Sequence, residues 1–245
     1  MWHACPGVKH SLDWYLKPSG SGPLAQALGV TEERLPAKLL RELLSAIALV
    51  HSCGVIHRDV KPENWLVDTH THSLRLIDLG AACDAKELIE HGLGQQQLTT
   101  TRAFAPPELR LSEGSLWTFD VYSAAMVWLR ILASTEPAPQ SNILPRAASA
   151  TTSASHATLS APALSSRQGF EAICSELNSW DGHGLDQWLA YSRECVGSCS
   201  QLGPWHLLGR MLSPDPEDRM TASEALCSLM ADTGAHAEWL LRPLW

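Results

Sequence analysis

The stretch His57-Arg58-Asp59-Val60-Lys61-Pro62-Glu63-Asn64 sits between two patterns of different period. Upstream, Leu39, Leu40, Leu43, Leu44, Ile47 and Ala48 recur at steps of three and four, which predicts an amphipathic helix over residues 36–52. Pro36 suits its first turn and Gly54 breaks it. Downstream, the short apolar runs Trp65-Leu66-Val67 and Leu74-Arg75-Leu76-Ile77 flank a polar turn, Asp68-Thr69-His70-Thr71-His72-Ser73, and read as a small hairpin-like strand pair. Asp78, fourteen residues after Asn64, closes the second run in Asp78-Leu79-Gly80. Polar side chains from one loop and one strand end are therefore expected to converge.

Further out, residues 81–105 read as a long irregular segment. Residues 119–133 read as a helix that is hydrophobic nearly all round and hence buried. The composition then shifts. Residues 134–168 are dominated by Ser, Ala, Thr and Pro, with too few large apolar side chains to fold independently, and are expected to be a disordered insertion. Helical pattern resumes at Gln168–Leu177, Leu185–Tyr191 and Pro204–Leu212. A last helix is expected after Thr221, where Thr221-Ala222-Ser223-Glu224 has capping-box spacing. The fold class is α+β, mostly α, in three segments: 1–133, 134–168 and 169–245.

Bulk properties bound the function. With 245 residues and 45% hydrophobic content the chain can bury a sizeable core. With a net charge of −8 nothing suggests a nucleic-acid footprint, which would need a basic face. The seven cysteines are odd in number and form no C-x-x-C pair, as expected of free thiols in a reducing compartment. No apolar run reaches the roughly 18 residues of a membrane-spanning helix.

Taken singly, Asp59 and Asp78 are as well read as turn or capping carboxylates. The ordered series is more specific. After Asp59, Lys61, Asn64 and Asp78 come Glu108 in Ala105-Pro106-Pro107-Glu108, Asp120 in the buried helix, and Arg219 in Pro216-Glu217-Asp218-Arg219-Met220. This order and spacing resembles the C-terminal lobe of eukaryotic protein Ser/Thr kinases over essentially the whole chain. The resemblance implies transfer of the ATP γ-phosphoryl group to Ser or Thr of protein substrates, with ATP and Mg²⁺ as cofactors. Asp59 would orient and deprotonate the acceptor hydroxyl, and Lys61 would steady the moving phosphoryl group. Asn64 and Asp78 would offer hard oxygen ligands to Mg²⁺. Leu66 would form the floor of the adenine pocket. Leu79 would replace the usual Phe of that motif and keep its apolar packing role.

The resemblance also implies supporting roles. Asp120 would fix the His57-Arg58 turn, and Glu108 and Arg219 would form a buried ion pair bracing the activation segment. Arg58 would pair with a phosphorylated residue, for which Thr99, Thr100 and Thr101 are candidates. Thr101, seven residues before Glu108, is better placed to contact Asp59 and Lys61 and position substrate.

Nothing in the sequence matches the Gly-rich phosphate loop, the phosphate-binding lysine or its glutamate partner. Residues 1–20 resemble the interlobe hinge and following helix, with Lys9 and Lys17 as surface charges. The N-terminal lobe is thus expected to be absent, through a sequence that starts late, a small lobe supplied in trans, or a non-catalytic docking module. More narrowly, DLGAACD (78–84), FDVYSAAMVWLRIL (119–132) and FEAICSELNSWDGHGLDQWL (170–189) resemble the state-transition kinases of plant and algal thylakoids. That kinship implies a chloroplast setting and substrates such as light-harvesting antenna proteins.

Overall fold

The computed structural model describes residues 8–17, 22–91, 101–109, 111–135 and 205–232. The chain opens with strand β1 (Val8–Ser11) and a one-turn helix α1 (Leu12–Tyr15), followed by α2 (Gly22–Ala27). Burial pushes the Tyr15 hydroxyl pKa upward. The expected amphipathic helix is α3 (Leu35–Ser52), with Pro36 in its first turn. Its stripe Leu39, Leu40, Leu43, Leu44 and Ile47 is buried, because a 3.6-residue period brings these positions to one face. The chain leaves α3 through Gly54 at φ +77°, a conformation open to glycine without steric cost.

Helix α5 (Phe119–Thr135) is buried along almost every described position, as its unbroken apolar composition requires. It crosses α3, and the Trp128 indole N–H donates to the Pro36 carbonyl at 3.1 Å. Helices α6 (Trp205–Met211) and α7 (Ala222–Asp232) complete the core, α7 packing on α3 and α6 on α5. The expected capping box is present: the Thr221 N–H and hydroxyl donate to Glu224 Oε2 at 2.8 and 2.9 Å, and the Glu224 N–H returns to Thr221 Oγ1 at 3.3 Å. These bonds, the Thr221 backbone one foremost, hold the Glu224 carboxyl below its usual range.

The hairpin is formed by β3 (Trp65–Asp68) and β4 (Ser73–Leu76), antiparallel with Trp65 opposite Leu76. It is larger than the expected pair. Strand β1 joins β3 with Ser11 opposite Leu66, giving a three-stranded sheet in the order β1-β3-β4. Two further short strands, β2 (Val55–Ile56) and β5 (Cys83–Asp84), pair antiparallel. The segment expected to be irregular over 81–105 therefore contains β5 and a helix, α4 (Ala85–His91), which begins where the Asp84 carboxylate accepts the Lys86 and Glu87 N–H groups. Seven residues are too few for a helical period to stand out in sequence. The helical patterns expected at Gln168–Leu177 and Leu185–Tyr191, and nearly all of the 134–168 insertion, lie outside the described residues. Among the described residues no helix is long and apolar enough to cross a membrane.

Two buried carboxylates brace the sheet, Glu42 from helix α3 and Asp68 from within the hairpin. Glu42 of α3 accepts the Leu74 N–H of β4 at 2.7 Å and pairs with Lys38 one turn back. Asp68 ends β3: its Oδ1 accepts the His70 and Thr71 N–H groups at 2.9 and 3.1 Å, and its Oδ2 meets Arg75 at 2.6 Å. Burial alone would raise the Asp68 pKa, but the bonds from Thr71 and His70 and the Arg75 charge outweigh it and hold the carboxyl below the usual range. A depressed folded pKa contributes stability above the unfolded value of about 3.9, and that contribution is lost as pH falls through the folded value. Between pH 6 and pH 3 the melting temperature of Asp68→Asn should fall less than that of the parent, by about 2–4 °C for a difference of about 1 kcal/mol. Parallel pH profiles would show that Asp68 makes no such contribution.

Candidate active site

Asp120, fully buried in the first turn of α5, is where the site begins. A carboxylate without water needs donors, and three N–H groups supply them. Its Oδ2 accepts from the His57 amide at 2.8 Å and His51 Nε2 at 2.9 Å, and its Oδ1 from the Arg58 amide at 2.8 Å. Arg58 is held at φ +65°, a left-handed conformation that non-glycine residues rarely adopt. The His57 ring locks the other side of the turn. Its Nε2 donates to the Ile77 carbonyl at 3.1 Å, and Nδ1 accepts the Asp59 N–H at 3.3 Å, a partner set that fixes the tautomer.

The turn delivers Asp59 into a polar cluster. Its Oδ2 accepts from Lys61 Nζ at 2.6 Å and from Asn64 Nδ2 at 3.1 Å. Its Oδ1 lies 3.3 Å from the Thr101 N–H and 3.4 Å from the Thr101 hydroxyl. Lys61 also reaches Thr101 Oγ1 at 3.3 Å, and Asn64 Nδ2 donates to the Asp59 carbonyl at 2.8 Å. Asp59, Lys61, Asn64 and Thr101 thus form one network, drawn from two segments about forty residues apart.

Asn64 precedes β3 and Asp78 follows β4, so the antiparallel pair brings both to the same end of the sheet. The Ile77 N–H donates to the Asn64 carbonyl at 2.9 Å. Because Nδ2 of Asn64 faces Asp59, its amide oxygen is left to face elsewhere. Asp78 is exposed, at φ +65°, with Oδ1 accepting the Gly80 N–H at 3.2 Å. Two hard oxygen donors at one sheet end fit a divalent cation of the magnesium type, which takes few protein ligands and completes its shell with phosphate and water. Among the described residues no group of three His, Cys, Asp or Glu side chains could hold a metal ion. Leu66 is half-buried on the face of β3 opposite Trp65 and Val67.

Arg219 and Glu108 meet as expected, through two bonds of 2.8 and 3.1 Å. The guanidinium is otherwise saturated by the Ser213 and Thr118 carbonyls and lies 5.0 Å from the centre of the Tyr122 ring. One expectation needs revision. Leu79 does not pack: it is 60% exposed. An apolar side chain keeps a packing role only where a neighbour covers it, and none does so among the described residues. The Arg58 side chain turns inward, its Nε donating to the Ala81 carbonyl, while Thr99 and Thr100 lie outside the described residues.

Sequence reasoning missed two contributors. His51 grips Asp120 from the end of α3, and its ring packs against Trp117 at 5.3 Å. Cys83 lies partly buried near Arg58 and Asp120. Burial raises its thiol pKa, Asp120 and Asp84 push the same way, and Arg58 opposes them.

Comparison with known proteins decides the family. The protein kinase domain model matches residues 16–230. The chain belongs to the protein kinase family. It is similar to the serine/threonine-protein kinase pim-2 of Danio rerio, 32% identical over 110 residues, covering 44% of this chain and 34% of that protein. It is similar also to the chloroplastic serine/threonine-protein kinase STN7 of Arabidopsis thaliana, 31% identical over 121 residues, 41% of this chain and 21% of that protein. The matches span about a third or less of the length of these curated relatives. In fold, the kinase domain is similar to a crystal structure of an Stt7 homologue from Micromonas algae soaked with ATP. The TM-score is 0.61 at 21% identity, over 91% of this chain and 64% of that one.

The Glu108–Arg219 pair, with Arg219 buried and Glu108 partly buried, generates a stability test. Glu108→Gln and Arg219→Met should each cost about 3 kcal/mol in urea denaturation, because either change strands its partner. The double variant should fall short of the summed losses by more than about 1 kcal/mol. Additive losses would mean that the two side chains are not coupled.

Proposed function

We propose that the chain is the catalytic part of a protein Ser/Thr kinase, transferring the ATP γ-phosphoryl group to hydroxyls of protein substrates. The observation that carries this reading is the joint hold of Lys61, Asn64 and Thr101 on the Asp59 carboxylate. Phosphoryl transfer needs little covalent chemistry and much positioning. Asp59 accepts the hydrogen bond of the substrate hydroxyl, aims its oxygen, and takes the proton as the new bond to the γ-phosphorus forms and the bond from that phosphorus to the bridging oxygen of the departing ADP breaks. Lys61 offsets the negative charge gathered beside Asp59. Asn64 and Thr101 keep the carboxylate from rotating away, so its orientation is set before substrate arrives. Asn64 and Asp78 would hold the magnesium ion, whose chemistry when bound is to neutralise phosphate charge. Leu66 would lie beneath the adenine.

The remaining elements that clamp ATP, in this reading, come from residues other than those described, in the same polypeptide or in trans. Similarity to chloroplastic STN7 supports a chloroplast setting. Thylakoid antenna proteins as substrates rest on the sequence resemblance of residues 78–84 and 119–132. A second reading is a non-catalytic docking module.

Transfer of labelled phosphate from Mg²⁺–ATP to Ser or Thr of added proteins tests the two. Asp59→Asn should lower the rate at least about 100-fold, the usual scale for a lost general base. Undiminished transfer by this variant would remove Asp59 from its role. Magnesium–ATP that leaves the melting temperature unmoved, with no transfer to any protein, would favour docking.

A further inference from the structure

Strand β4 lies at the edge of its sheet: in the order β1-β3-β4 it has a strand neighbour on one side only. Bonded and non-bonded pairs alternate along an antiparallel ladder. The Ile77 N–H bonds to the Asn64 carbonyl, so Leu74, in the alternate register opposite Val67, turns its N–H away from β3. One side chain stands in for the missing strand. Glu42 of α3 is 3% exposed, and its Oε2 accepts that N–H at 2.7 Å, while its Oε1 pairs with Lys38. A second tie to the helical body follows where the Ile77 carbonyl accepts from His57 Nε2 at 3.1 Å. Asp78 is the next residue.

The two oxygen donors of the site are held very differently. Asn64 is buried and bonded to both the carbonyl and the carboxylate of Asp59. Asp78 is exposed, and among the described residues its carboxylate accepts one hydrogen bond, from its own neighbour Gly80. The distance between the two donors is therefore set by how firmly β4 is held. We infer that Glu42 is a positioning residue for Asp78, which rests on the reading of Asn64 and Asp78 as the pair that holds magnesium. By fastening β4 to α3, Glu42 keeps Asp78 level with Asn64. Leu74 and Ile77 are about 10 Å apart at the usual 3.3 Å per residue, and two ties that far apart stop the strand from pivoting about either. A slip of one residue would carry every side chain of β4 to the opposite face. Helix α3 is also the reference for Asp59, because its His51 holds Asp120 and Asp120 holds the turn before Asp59. Base and metal ligand are thus referred to one helix.

Two measurements on the full chain test this. Without ligand, NMR-detected amide exchange at Leu74 and Ile77 should be about tenfold faster in Glu42→Leu, as expected of a local opening, with the His57 and Arg58 amides unchanged. Acceleration confined to Leu74 would show that the hold goes no further, and acceleration at all four amides would report general loosening; either overturns the proposal. The second measurement titrates Mg²⁺ at fixed ATP and follows the rise in melting temperature. Its midpoint should lie about tenfold higher in Glu42→Leu, the scale for a group that supports a metal ligand, and saturating Mg²⁺ should restore the full rise. Glu42→Gln, which keeps an oxygen for the Leu74 N–H, should stay within about threefold of the parent. Glu42→Asp, whose shorter side chain withdraws the carboxylate, should move both readouts the same way by less, and serves if Glu42→Leu does not fold. Equal midpoints, a loss that Mg²⁺ does not restore, or Glu42→Gln as weak as Glu42→Leu counts against Glu42. A parent chain unmoved by magnesium–ATP counts against Asn64 and Asp78 as metal ligands, and the exchange rates then decide whether Glu42 holds β4.

Discussion

The saturation of one buried carboxylate sets the geometry of the candidate site. Asp120 has no contact with solvent, and its oxygens are satisfied by the backbone of the His57-Arg58 turn and the ring of His51. Leaving those groups unpaired would cost several kcal/mol, so the turn and the helix cannot part cheaply. The left-handed backbone at Arg58, itself worth about 1 kcal/mol or more of strain, persists because the surrounding bonds over-determine it. Asp59 follows directly, so its placement inherits the rigidity of the buried helix α5.

From this anchor the site is closed by a second one. Thr101 reaches Asp59 at one end of a short segment, and Glu108 is held by Arg219 at the other. Between them Phe104 and Ala105 are buried against α5. The polar cluster thus rests on a buried, hydrogen-bonded carboxylate, a partly buried ion pair and a hydrophobic turn, all referred to the same helix. This arrangement allows a loop-borne carboxylate to be positioned as finely as one on regular secondary structure.

Much of this was legible in the sequence where the signal is local and periodic. The α3 stripe, the apolar α5, the hairpin turn and the Thr221 capping box each follow from residues within a few positions of one another. The site residues were legible through their order, since no single carboxylate is distinctive. What escaped is non-local or too short. The pairing of β1 with β3 joins segments more than fifty residues apart, and His51 finds Asp120 across 69 positions. Helix α4 spans barely two turns, and Glu42 looks like any helix-surface acid until β4 is laid beside it. Leu79 shows the complementary failure: apolar character states a preference for cover and says nothing about whether cover exists.

The apolar core is not continuous. Ile56, Ala85, Leu88, Leu111, Leu116 and Phe119 form a cluster separate from the one between the main helices, with Cys83 and Trp117 at its edge. It secures β5 and α4, whose other support is a two-residue ladder to β2. A unit with so little buried surface opens at a lower free energy than the global unfolding of the domain. Amide protons over residues 83–91 should accordingly exchange with solvent sooner than those of α3 and α5. The segment after Asp78 can then rearrange without melting the scaffold that holds Asp59.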